Sequence, residues 1–270
     1  MSSPVTIRRR FVDGPFGQVH LRDSGSVPGG LPPLLCLHQS PKSSREFAAL
    51  LPLLAAKRRV VAVDNPGHGE SDLPPCEDEA TIEAYARSAW AVVDALQLGT
   101  VDLLGHHTGA KVATEMAYQR PGDVRRIVMI SALVLTPEET ARFRDQFQPT
   151  PLDEAGTRFS KMWAAAIQHR GPGVTLEQLA ASFAENLRAG EAYEWGHGAA
   201  FAYNALFPER VAALAHPITV VNPGDMLYDL TPRVMPLLRD GTLVDKPDWG
   251  FGFMDADPEG AASVVEAALA

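Results

Sequence analysis

The pentapeptide Gly105-His106-His107-Thr108-Gly109 follows the apolar run Val101 to Leu104 and leads straight into a helix-like stretch from Ala110. A strand that turns this sharply into a helix needs small residues two positions on either side of its apex, and Gly105 and Gly109 place His107 there. Imidazole titrates at about pH 6.5, so at the floor of a pocket it can take up or release a proton, activate water, or act as a nucleophile. The same position also admits a structural histidine that merely fills the turn. Composition does not choose between the two.

Three more turns put polar groups at strand ends. Leu37-His38-Gln39-Ser40-Pro41, Asp64-Asn65-Pro66-Gly67-His68-Gly69-Glu70-Ser71 and Asn222-Pro223-Gly224-Asp225 each follow a short apolar run. Backbone N–H groups at such strand ends, those of Gln39 and Thr108 among them, can stabilise an oxyanion whatever their side chains. Asp225 is the candidate partner of His107, where a carboxylate would raise the ring's basicity and fix its tautomer. Capping its own strand end is the alternative role. Asp229, four residues on, is a weaker stand-in.

These turns need a scaffold of strands and helices to bring them together. Ile7 to Val12 and Gln18 to Ser24 read as an opening hairpin, and Pro28-Gly29-Gly30 as punctuation after it. Leu34 to Leu37, Val60 to Val63, Val101 to Leu104 and Ile127 to Ile130 lack polar alternation, the mark of strands buried on both faces. Glu46 to Leu54, Thr81 to Leu96 with Thr81 as N-cap, and Ala110 to Arg120 have helical spacing. The alternation predicts a mostly parallel sheet with helices on both faces and a site at the carboxyl ends of its strands. From Thr136 to about His216 it stops: Asp153 to Gln168, Leu176 to Arg188 and Glu191 to Tyr203 read as helices. Strands then resume at Ile218 to Val221 and Thr242 to Val244, before a closing helix from about Pro258 to Leu269.

The order of these turns resembles the α/β-hydrolase superfamily, in particular its lidded epoxide hydrolase, haloperoxidase and esterase-like members. The resemblance covers essentially the whole chain. Asp64 to Ser71 is its most specific motif. It implies an α/β-hydrolase core of residues 1–135 and 217–270 and a helical cap, or lid, of residues 136–216. It also implies that His106 supports the elbow from beneath, that His38 holds the oxyanion turn at the edge of the substrate site, and that Asp64 and Ser71 lock their own turn. Three positions depart from the family pattern. His107 stands where members place a nucleophilic Ser, Cys or Asp, Phe251 stands where they place a histidine, and Gln39 replaces a glycine. Only Asp225 matches the triad, in the acid position. Acyl transfer needs a nucleophile and a base beside it, so serine esterase chemistry is not expected.

The segment assigned to the cap supplies aromatic side chains. Tyr193, His197 and Phe201 fall at i, i+4 and i+8 of one predicted helix, and Trp163 lies on another. With Phe251 and His38 they are the candidate substrate-binding residues, and His197 is a second candidate acid or base. They imply a small, largely apolar ligand, although ordinary packing would use the same residues. No metal is expected: His106 and His107 are neighbours at a sharp turn and are expected to point apart, with no further ligand set in the sequence. No phosphate loop or other cofactor motif is present, since Gly67-His68-Gly69 opens no helix.

The chain has 270 residues, with 24 Lys+Arg against 33 Asp+Glu and a formal charge of −9, which opposes a nucleic-acid or anionic-membrane footprint. Neither an apolar leader nor a spanning segment is evident, and the two cysteines, Cys36 in a strand and Cys76 in a loop, form no disulfide framework. A cytoplasmic location is expected, with self-association left open. Three functions are compatible with these residues. The first is an enzyme using His107 as general acid or base in lyase, isomerase, cyclase or decarboxylase chemistry. The second is a hydrolase activating water through His107 on an ester or lactone. The third is a non-catalytic small-molecule-binding protein.

Overall fold

The computed structural model describes residues 5–27 and 30–270. Residues 1–4, and Pro28 and Gly29 of the expected punctuation, lie outside the described residues. In chain order the elements are β1 (Arg8–Gly14), β2 (Gly17–Asp23), β3 (Leu31–Leu37), α1 (Leu51–Leu54), β4 (Arg58–Val63), α2 (Ile82–Ala95), β5 (Val101–His106), α3 (Thr108–Gln119) and β6 (Val124–Ile130). They continue with α4 (Pro137–Gln146), α5 (Thr157–Gln168), α6 (Leu176–Arg188), α7 (Trp195–Ala202), α8 (Phe207–Ala213), β7 (Ile218–Pro223), β8 (Gly241–Lys246), α9 (Phe253–Ala256) and α10 (Pro258–Leu269).

One eight-stranded sheet has the order β1-β2-β4-β3-β5-β6-β7-β8. Only β1–β2 and β2–β4 pair antiparallel; from β4 to β8 every neighbour is parallel. The chain lays β4 on one side of β3 and then crosses to put β5 on the other. That reversal opens a crevice at the carboxyl ends of β3 and β5, the usual ligand position in such sheets. The Gln39 turn leaves β3 there and the His107 turn leaves β5.

The parallel strands are apolar throughout because both faces are covered. On one face lie Tyr85 and Trp90 of α2, Val112 and Met116 of α3, and Phe207 and Val211 of α8. On the other lie Leu54 of α1, Met254 of α9, and Val265 and Leu269 of α10. Thr81 caps α2, its side chain accepting the Ala84 N–H at 3.1 Å.

The helical spacing from Glu46 to Leu54 does not give one helix. A 3₁₀ turn covers Ser44–Phe47 and α1 starts only at Leu51, because Pro52 lacks an N–H and tolerates only a first-turn position. The helix expected from Asp153 starts at Thr157, after Gly156 in the left-handed region at φ 69°. Two helices escape the apolar pattern. α4 is polar and mostly exposed, set by a capping box between Thr136 and Glu139, and α8 is a short helix opened by Pro208. Among the described residues, no helix is long and apolar enough to cross a membrane.

Candidate active site

His107 sits between β5 and α3 with φ 48° and ψ −110°, a strained backbone for a residue with a Cβ. The flanking glycines are demanded by space: a Cβ on Gly105 would strike the Gly109 backbone, and one on Gly109 would strike the Leu37 carbonyl at the end of β3. Close approach of α3 to β3 thus requires Gly109, and the approach aims His107 outward. Its N–H donates to the Ile130 carbonyl at 2.9 Å.

The imidazole meets Asp225 across the sheet, with Nε2 2.9 Å from Asp225 Oδ2. The same oxygen accepts the Ser131 hydroxyl at 2.6 Å, and Oδ1 accepts the Leu227 N–H at 2.7 Å. Burial alone would raise the Asp225 carboxyl, but the charge and hydrogen bond of His107, with those from Ser131 and Leu227, hold it at about 2. His107 moves the other way: burial lowers its proton affinity below the ordinary imidazole value, outweighing the pull of Asp225. Near neutral pH the pair is an ionised carboxylate facing a neutral imidazole. The 2.9 Å contact then needs its proton on Nε2, which leaves the lone pair on Nδ1 as the basic site.

Beneath the elbow lies a second acid–histidine pair. Glu46 Oε1 is 3.0 Å from His106 Nδ1, Glu46 Oε2 accepts the Gln39 N–H at 3.1 Å, and the Gln39 side-chain amide also bonds Glu46. Burial opposes ionisation of Glu46, yet the His106 charge and these bonds hold it at about 2. Gln39 therefore does not offer the oxyanion donor expected of it, because its N–H is already committed to a carboxylate. Thr108, the first residue of α3, keeps an N–H without an intrahelical acceptor.

The expectation that neighbouring histidines point apart is overturned. The rings of His106 and His107 meet edge to face with centroids 4.6 Å apart, and donor atoms of His106, His107 and Asp225 all lie within 4.8 Å of one another. The positive φ of His107 folds the second ring back toward the first. In this arrangement His106 Nδ1 and His107 Nε2 each face a carboxylate.

Above His107 is a cavity of about 460 Å³, walled by the strand-end turns and by α4, α5, α6 and α7. His197, Phe201 and Phe251 line it, with Phe143 and Phe147 of the unforeseen α4 segment. Phe251 presents a ring 5.9 Å from that of His107, and His197 Nδ1 is 2.6 Å from Glu194 Oε2.

Three other expected contacts are not made. His38 is fully buried, with Nδ1 at 2.7 Å from the Gln39 carbonyl and Nε2 accepting the Asn65 N–H at 2.9 Å, so both ring nitrogens serve the backbone. Tyr193 lies before α7, outside the helix that was to align it with His197; its hydroxyl accepts the Thr150 N–H at 2.8 Å and its ring packs under Arg158. Trp163 turns from the cavity to pack on Phe183 of α6, centroids 5.2 Å apart, while its neighbour Met162 lines the wall. Asp64 accepts from His20, the Ser44 N–H and the Glu70 N–H, and the Ser71 hydroxyl donates back to the Asp64 carbonyl.

Ser131, Glu46, Lys42 and Lys111 were not foreseen. Ser131 immediately follows a predicted strand and Lys111 is a lone cation in an otherwise small and apolar helix start, which are the signals that would have pointed to them. Nothing local marks Glu46 or Lys42.

The sheet order, the covering helices and the strand-end site define an α/β-hydrolase fold. Residues 32–161, just under half of the chain, match the α/β hydrolase fold family. It is similar to an uncharacterized protein of Mycobacterium tuberculosis strain H37Rv, 30% identical over 142 residues that make up 53% of this chain and 39% of that one. It is also similar to a proline iminopeptidase of Heyndrickxia coagulans, 28% identical over 167 residues, 58% of each chain. The chain thus spans well under two thirds of the length of these relatives. Epoxide hydrolase A from Mycobacterium thermoresistibile superposes with a TM-score of 0.77 at 18% identity, covering 98% of both chains.

Proposed function

We propose that this protein is an enzyme of the α/β-hydrolase fold that transfers protons through His107 and forms no serine acyl-enzyme. The observation that carries this reading is the His107–Asp225 contact of 2.9 Å at the floor of the cavity. Asp225 fixes Nε2–H and leaves Nδ1 to take a proton from bound substrate; the imidazolium so formed, stabilised by the carboxylate, returns the proton to product. Commitment of the Gln39 N–H to Glu46 supports a route that does not depend on a paired-amide oxyanion hole. Thr108 N–H remains as a single donor toward developing negative charge. Residues 136–216 act as the lid, and the aromatic wall favours a small, largely apolar substrate. Lyase, isomerase, cyclase and decarboxylase reactions all fit, since each can be assisted by a proton transfer accompanying its bond changes and none needs an acyl-enzyme.

A second reading has His107 activate water on an ester or lactone. It is favoured by the hydrolytic activities named for the proline iminopeptidase and epoxide hydrolase. A panel of esters, lactones and carbon acids, assayed in isotopically labelled water, separates the two: solvent oxygen in the product selects hydrolysis. On the substrate so found, His107→Ala is expected to lose at least about tenfold in rate. An unchanged rate removes both readings and leaves a binding protein, from which ligand is recovered intact.

A further inference from the structure

Lys111 lies one helical turn beyond His107, on the same side of the start of α3. It is 2% exposed, and it lines the cavity together with His107. Its Nζ donates to two neutral oxygens, the Ala200 carbonyl at 2.7 Å and Asn204 Oδ1 at 2.6 Å, and stands 5.5 Å from the centroid of the Phe207 ring. Among the described residues no carboxylate approaches it within 4.0 Å. Burial with no ion pair pulls the Lys111 ammonium down to about 7, and its charged form is met only by two dipoles and a ring face. Lys42, a half-buried lysine of the same cavity, differs: Glu46, Glu185 and Asp255 all pull on it electrostatically.

A buried ammonium without a counter-ion is costly, and such groups are normally paired. Proton loss relieves that cost in the absence of ligand, and a carboxylate arriving with the ligand would restore the charged form. We propose that Lys111 is the anion-binding residue of this cavity, taking the carboxylate of a small monocarboxylic acid or ester half-acid whose apolar body lies against Phe143, Phe201 and Phe251. The N-terminus of α3, a few residues away, adds positive potential of the same sign. Lys111 and His107 line the same cavity, so a ligand whose carboxylate is held by Lys111 occupies the space that His107 also faces. The assignment deepens the reading of this cavity as the substrate site, but it does not require that His107 be catalytic.

The test uses 4-phenylbutyrate and its uncharged amide as probes, with affinities measured by calorimetry on the wild type, Lys111→Met and His107→Ala. The wild type is expected to bind the acid at least about tenfold tighter than the amide. Lys111→Met should bring the two together, with Lys111→Arg restoring the preference in part. His107→Ala should keep the preference, which separates failure of the catalytic reading from failure of this one. Equal affinities in the wild type, no binding of the acid at millimolar concentration, or a preference that survives in Lys111→Met would each overturn the assignment. The wild-type comparison decides even if a variant does not fold.

Discussion

His107 and Asp225 differ in what burial does to them, and that difference sets the pH behaviour. Burial disfavours the charged imidazolium, so the neutral, basic form of His107 persists below its ordinary value of about 6.5. Asp225 stays ionised to about 2. The acid limb of kcat/KM is therefore expected below pH 6.5. Asp225→Asn removes the group that pulls the histidine's proton affinity up, so the limb should move to still lower pH while the rate falls by about tenfold or more; a pH-rate profile of both proteins checks this. The sign for stability follows from the same shift. Between the folded and unfolded values the unfolded chain binds more protons, so His107 makes stability fall as pH drops through about 6.5. In His107→Ala that part of the decline should vanish from a series of melts across pH 4 to 7, taken as roughly the window in which histidine titrates.

At the scale of elements, the elbow is a packing solution before it is a catalytic one. α3 lies so close to the end of β3 that Gly109 admits no side chain. Gly109→Ala is expected to cost about 1–3 kcal/mol, the usual range for overpacking against unyielding backbone, and denaturant unfolding measures it. Much of this level was legible beforehand. Buried parallel strands announce themselves by uninterrupted apolar runs, and Thr81 marks the start of α2. The helices between β6 and β7 were less legible for physical reasons. α4 is held by its capping box rather than by an apolar stripe, and Tyr193 closes the 3₁₀ turn Gly190–Ala192, two residues before α7 begins with the stretch that carries His197 and Phe201. Trp163 shows the same limit: it has the right helix and the wrong face.

Across the whole molecule, the end of the sheet opposite the site carries its own polar cluster. Asp102, fully buried, accepts from Arg58 at 2.6 Å and from Arg125 at 2.9 and 2.7 Å, and Arg125 also donates to the Leu269 carbonyl at 2.6 Å, tying the closing helix to the strands. Removing Asp102 leaves the buried Arg58 guanidinium with only Glu266, 3.4 Å away, as a counter-charge, so Asp102→Ala should lose about 3 kcal/mol of stability, read from chemical denaturation, without altering the geometry around His107. That ion network is a stability device; Lys111, with no such partner, is not.

Taken by itself, the sequence determined the order of the strands and of the helices α2, α3 and α10, the position of His107 at the elbow and the absence of a serine there, because strand burial, helix capping and a glycine-flanked turn are local or periodic properties. It also determined that an aspartate at position 225 follows the strand next to leave the sheet. Only the tertiary structure decided who meets whom. The 2.9 Å contact between residues 107 and 225, the capture of the Gln39 N–H by Glu46, the convergence of His106 on His107 and the isolation of the Lys111 charge all join residues far apart in the chain or hinge on one dihedral angle. Such contacts depend on where the sheet brings loop ends together, a matter of ångströms that no local pattern encodes.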